Sequence, residues 1–291
     1  MRLQAASLGA LGAFAFAGGA VAEAPVAPAG NLGGGALVSP PRDIFGPGNA
    51  IIAIRALPKR RLEIEATVRA RCAGGDIAAT AKVSAAGLFE AEGTATQEPS
   101  PALKVQTKYV LKGRFTAAGS AEGTISATIE RTLEGSAQTC KSGTVTFAVR
   151  RPTTGVGSPG APKAARYYGT TSQRGTGPSR PIVLRVASDG RRLTRGLFGE
   201  SVKCDDGKLS IGVEAPRTNI HIDAHGRVND REQFKLTEGE TIVHVDDRFK
   251  AQLGSKGASG TFALSDRTTD RASGRTIQTC RSGTVHWRAS R

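Results

Sequence analysis

The stretch Gln138-Thr139-Cys140-Lys141-Ser142-Gly143-Thr144-Val145 returns as Gln278-Thr279-Cys280-Arg281-Ser282-Gly283-Thr284-Val285, with seven of eight positions identical. Upstream, Gly123-Thr124 matches Gly260-Thr261, Arg114-Phe115 matches Arg248-Phe249, and Cys72 matches Cys204. The order of matches is preserved while their offset drifts by a few residues. That is the behaviour of strands that are kept and loops that change length, so the chain reads as an internal duplication.

Working outward, hydrophobicity alternates with period two. Leu62, Ile64, Ala66, Val68, Ala70 and Cys72 interleave with Glu63, Glu65, Thr67, Arg69 and Arg71, the pattern of a half-buried strand with the cysteine in phase with the core. Val145, Phe147 and Val149 repeat it, as do Val285, Trp287 and Ala289. Thr241, Val243, Val245, Phe249, Ala251 and Leu253 share one face of a longer strand. Turn signals at Ala86-Gly87, Asp189-Gly190, Asp206-Gly207 and His225-Gly226 cut the chain into short strands. No capped pattern of helical period follows residue 22. The expected fold is all-β: two tandem antiparallel β-sandwich or barrel-like domains from a duplication, one disulfide each. The expected divisions are a signal peptide at 1–22, a Pro/Gly/Ala-rich linker at 23–49, a first β-domain at 50–151, a linker at 152–165 and a second β-domain at 166–291.

Composition agrees. Of 291 residues, 38% are hydrophobic and 5% aromatic, too few for one large, well-filled core and inconsistent with a helical membrane protein. Arg2, the apolar Leu8–Gly19 stretch and Ala20-Val21-Ala22 have the form of a secretory signal with its cleavage site, leaving Glu23 as the mature N-terminus. After cleavage no integral membrane span is expected, and the location is secreted or periplasmic. Four cysteines suit that compartment. The repeat selects Cys72–Cys140 and Cys204–Cys280 as the pairs, because a cross-domain pairing would leave each repeat without its own staple.

Several stretches resemble reactive sites. His221, Asp223 and His225 would share one face of a strand and are good donors for a borderline metal. Their spacing spreads them over about 13 Å along a strand, too far for one tetrahedral ion, so a solvated strand face is the expectation. Repeat one has no ligands at the matching place, and no cofactor is expected. Asp247 falls in the core phase of its strand opposite Gly113 of repeat one, and a bulge turning Asp246-Asp247 outward is expected. Trp287 matches Phe147 and reads as core. Tyr167-Tyr168 are candidate binding residues, since neighbours on a strand point to opposite faces and one must leave the core. Gly155-Val156-Gly157-Ser158-Pro159-Gly160 satisfies a dinucleotide fingerprint but sits in a linker with no helix after it. Lys141-Ser142-Gly143 lacks the companion S-x-x-K of β-lactamases, and no G-x-S-x-G is present.

Net charge is +15. The longest basic block is Lys59-Arg60-Arg61, and aromatic interleaving for base stacking is missing, so nucleic acid is not the expected partner. A diffuse positive field suits anionic cell-envelope polymers or glycans.

Tyr167-Tyr168-Gly169-Thr170-Thr171-Ser172, the Cys204-x-Asp206-Gly207 turn, and the closing Cys280-x-Ser282-Gly283-Thr284-Val285-x-Trp287-x-Ala289 resemble a group of uncharacterised exported bacterial β-modules. The similarity covers most of 166–290; repeat one lacks the tyrosine-rich opening and has Phe147 for the tryptophan. The resemblance implies a fold and export and transfers no catalytic residue. The functional expectation is a secreted, non-catalytic binding or interaction module of the cell envelope. The alternatives are a metal-dependent or hydrolytic enzyme with its site in the second domain, and a secreted inhibitor or structural spacer.

Overall fold

A computed structural model describes residues 30–37, 48–100, 103–117, 119–174, 177–214 and 219–291. The signal segment at 1–22 lies outside these residues. The described chain is all-β, with two barrel-like sheets, the first nearly closed and the second closed, and one disulfide in each. The first sheet holds β1 (Gly30–Ala36), β2 (Ala50–Leu57), β3 (Arg61–Arg69), β4 (Gly74–Lys82), β5 (Leu88–Ser100), β6 (Leu103–Ala117), β7 (Ser120–Leu133) and β8 (Ser136–Arg150). Its order is β4-β3-β2-β1-β8-β7-β6-β5. The seam between β4 and β5 is crossed by side chains rather than by a ladder. Gln97 Nε2 donates to Asp76 Oδ2 at 2.6 Å, and Asp76 N donates to Gln97 Oε1 at 3.3 Å.

The second sheet holds β9 (Arg166–Arg174), β10 (Ser179–Val186), β11 (Arg192–Cys204), β12 (Leu209–Glu214), β13 (Ile220–His221), β14 (Arg227–Glu238), β15 (Thr241–Leu253), β16 (Gly257–Asp270), β17 (Thr276–Arg281) and β18 (Val285–Ser290). Its main order is β12-β11-β10-β9-β18-β16-β15-β14, and β17 pairs with both β11 and β16, which closes the wall. Cys204 and Cys280 stand opposite each other in that closure.

The repeated octapeptide turns out to be a bulge. Ser142 Oγ accepts from Ala127 N at 2.9 Å and donates to Gly143 O at 2.7 Å. Ser282 Oγ accepts from Leu264 N at 2.9 Å and donates to Gly283 O at 2.8 Å. The hydroxyl replaces a ladder partner where the strand steps out of register, and the following glycine takes φ +70° or +66°, a conformation that disfavours any side chain. Both glycines of the Gly-Thr match have an aromatic ring across the strand. A Cβ on Gly123 would sit 2.7 Å from the Phe147 ring, and one on Gly260 would sit 2.7 Å from the Trp287 ring.

Register corrects one sequence match. Val145 and Val285 are equivalent, and they pair with Ile125 and Phe262, which pair with Leu111 and Phe249. Phe249 is therefore the counterpart of Leu111 rather than Phe115, and Asp247 that of Tyr109 rather than Gly113. An Arg-Phe pair recurs by sequence at positions that the hairpins place four residues apart.

The stretch read as a linker at 23–49 contributes β1, whose glycine-rich sequence hides a strand at the contact between barrels. A Cβ on Gly33 would lie 2.0 Å from Gly169 O, so only glycine lets β1 and β9 back onto each other. Beside that contact Leu37, Ile51, Tyr168, Val183 and Leu197 form an apolar cluster shared by both barrels. At the far side Asn31 Oδ1 accepts from Ser179 N at 3.3 Å.

Candidate functional site

The two barrel interiors are filled. The first holds Phe89, Leu111, Phe115, Ile125, Phe147 and their neighbours in one apolar cluster; the second stacks Phe249 on Trp287 with ring centroids 5.6 Å apart. Trp287 is 2% exposed, in the core role read from its phase.

Tyr167 and Tyr168 do not form a surface platform, which corrects the sequence expectation. Tyr167 is buried in the second barrel, where its hydroxyl donates to Gly254 O at 2.9 Å and burial pushes its pKa up to about 12. Tyr168 does leave that core, yet the first barrel covers it, and the Arg150 guanidinium lies 5.6 Å from its ring centroid. The face that strand geometry assigns to solvent is here the face between domains.

His221, Asp223 and His225 do not share a strand face. β13 ends at His221, and Asp223 opens a tight turn in which its Oδ1 accepts from His225 N at 2.9 Å and Arg227 N at 2.8 Å. Arg227 Nε donates to Asp223 Oδ2 at 2.8 Å, and the backbone bond from Arg227 holds the Asp223 carboxyl below its ordinary range. His221 and Asp223 border a broad surface depression with Asn219 and Asp230 that does not include His225 or Asp247. Among the described residues no three His, Cys, Asp or Glu side chains are grouped to hold a metal ion.

Asp247 also departs from the sequence expectation. β15 runs without a bulge through Asp246-Asp247 against both β14 and β16. Asp247 consequently points inward and is 5% exposed, while Asp246 faces out to Arg231, Gln233 and Arg248. Two more interior carboxylates escaped the sequence reading, Glu200 on β11 and Asp266 on β16. Burial raises the Asp266 pKa, and its Oδ1 has no hydrogen-bond partner. Alternation carried the signal: both residues stand in phase with Phe198 and Phe262.

A cleft of about 340 Å³ lies between the two barrels. Ile51 and Thr67 of the first barrel and Pro181, Gly199 and Ile211 of the second line it. In its wall Arg180, with a side chain 9% exposed, donates from Nη1 to Glu65 Oε2 at 2.5 Å and from Nε to Ser201 Oγ at 3.2 Å. Arg180 comes from β10 and Glu65 from β3, so this ion pair ties the barrels together. Asp76 receives Thr67 Oγ1 at 2.6 Å as well as Gln97, which fixes the polar floor. Half-buried apolar walls around a few oriented polar groups are the usual make-up of a binding cleft. Ile211, 52% exposed, stands at its rim.

No protein-family model matches the chain, and no curated protein matches it.

Proposed function

We propose that the protein is an exported, non-catalytic binding module of the cell envelope, secreted or periplasmic, that receives its ligand in the cleft between the barrels. The observation that carries the reading is the cleft itself: its walls come from two disulfide-stapled barrels held in one arrangement by Arg180–Glu65 and the apolar contact beside it. Such a site is preorganised, which lowers the ordering cost of binding. Asp223, the carboxylate that a metal or hydrolytic reading would use beside His221 and His225, is taken up by its own turn. The resemblance to exported β-modules and the two disulfides support the compartment.

The test is retention on peptidoglycan, lipopolysaccharide and immobilised glycans at low and high salt, with wild type beside Ile211→Asp at the cleft rim. The expected result is salt-sensitive retention of wild type and weaker retention of the variant. Absence of retention on every surface at low salt overturns the reading.

A further inference from the structure

The outer face of the second barrel carries three arginines in register. Arg166 on β9 stands opposite Arg185 on β10, and Arg185 stands opposite Arg195 on β11. Directly opposed residues have Cβ atoms about 4.5–5.5 Å apart, and like charges so placed destabilise a sheet. Arg195 is buried and has interactions of its own; Arg166 and Arg185 are exposed. Among the described residues, four exposed arginines of this barrel have carboxylates beside them: Arg192 has Asp189, Arg227 has Asp223, and Arg231 and Arg248 share Asp246. No such partner faces Arg166 or Arg185.

The equivalent row of the first barrel is Asn31 opposite Arg55 opposite Glu63. There Arg55 Nε donates to Glu63 Oε2 at 2.6 Å, so the row is neutralised within the sheet. The second barrel repeats the architecture with an arginine at each of the three positions. Next to the ridge, Arg150 packs over Tyr168 and donates from Nη1 to the main-chain oxygen of Arg291.

We propose that Arg166 and Arg185 form a receptor for phosphomonoester groups on an anionic envelope glycan. The proposal rests on the envelope-binding reading above and adds, outside the cleft, a second contact for the same anionic partner. Two guanidinium groups one strand apart present two positive charges and forked donors to a small space. A phosphomonoester brings about 1.5–2 negative charges and three acceptor oxygens to that space, whereas a carboxylate brings only one charge.

The test measures binding to phosphorylated lipopolysaccharide and to the same material after phosphatase treatment. It compares wild type, R166E/R185E, R166K/R185K and the charge-matched K235E/K250E on other strands of the same barrel, with thermal melts to confirm folding. R166E/R185E is expected to weaken binding to phosphorylated material by at least about tenfold. The lysine variant is expected to fall between, since lysine lacks the fork, and K235E/K250E is expected to stay near wild type. Equal losses in both charge-reversed variants overturn the proposal in favour of a diffuse field, and so does indifference to phosphatase. Wild-type retention that R166E/R185E leaves unchanged removes the ridge and leaves the envelope reading standing. No wild-type retention on any surface removes both.

Discussion

Near its disulfide the first barrel faces Val68, Tyr109 and Ile129 inward; at the same register positions the second carries Glu200, Asp247 and Asp266. The outer row behaves in parallel, Asn31-Arg55-Glu63 against Arg166-Arg185-Arg195. Strand order, disulfide position and the Ser-Gly bulge agree between the barrels, so these differences are substitutions on a common frame. The first barrel is the one optimised for packing. The second carries interior carboxylates, of which Asp266 is penalised by burial, and a row of arginines, and such departures from local consistency are where function is expected.

The largest test of the common frame is removal of each staple. In the chain-entropy model, C72A/C140A and C204A/C280A should each cost about 4 kcal/mol, because the bridges close similar lengths of chain. Sequence separations of 68 and 76 predict nearly equal losses by calorimetry. A much smaller loss in the second barrel would mean that its β17 closure holds without the bridge.

Aromatic truncation comes next. Trp287→Ala and Phe147→Ala each leave a cavity under a glycine and should cost roughly 3–5 kcal/mol. The tryptophan change should cost more if the two cores are equally tight, and the reverse order would show that the second barrel relaxes around its polar interior.

Asp266 sharpens the contrast through pH. Its folded pKa lies above the ordinary aspartate value, so the ionised form is disfavoured by folding and stability falls as pH rises through that pKa. Asp266→Ile, which copies the buried Ile129, should therefore stabilise at neutral pH by roughly 1–2 kcal/mol. Asp266→Asn should match wild type in acid and exceed it at neutral pH in thermal melts. Asp246 has the opposite sign: Arg231 holds it down to about 2, and its contribution is present above pH 3.8 and lost as pH falls toward 2.

The smallest effect is at the ridge. Arg185→Glu converts a like-charged row into two opposite-charge pairs and should raise stability by about 0.2–1 kcal/mol in chemical denaturation. The same change in the first barrel, Arg55→Glu, should lower it, since Glu63 would then face a like charge.

Much of this architecture was legible from alternation alone. Alternation that runs from Leu62 toward Cys72, and cysteines repeated in both halves, leave few ways to bury the apolar face other than paired β-domains with internal disulfides. The Ser142 and Ser282 repeat is visible as identity, and its cause, a hydroxyl completing a bulge, lies in the strand pairing. The candidate site was less legible. Asp247 reads as in phase with the core, but the match to Gly113 implies a bulge that the β15 ladder does not contain.

The sequence by itself determined the local alternation, the turns, the cysteine pairing and the excess of arginine, because each depends on residues near one another or on a repeat that can be compared with itself. Only the tertiary structure decided that Gly33 makes a strand inside a presumed linker, that Tyr168 is covered, that Arg180 meets Glu65, and that Arg166 stands opposite Arg185. Those facts depend on which strands are neighbours and in what register, and a shift of a single residue would turn every side chain to the other face.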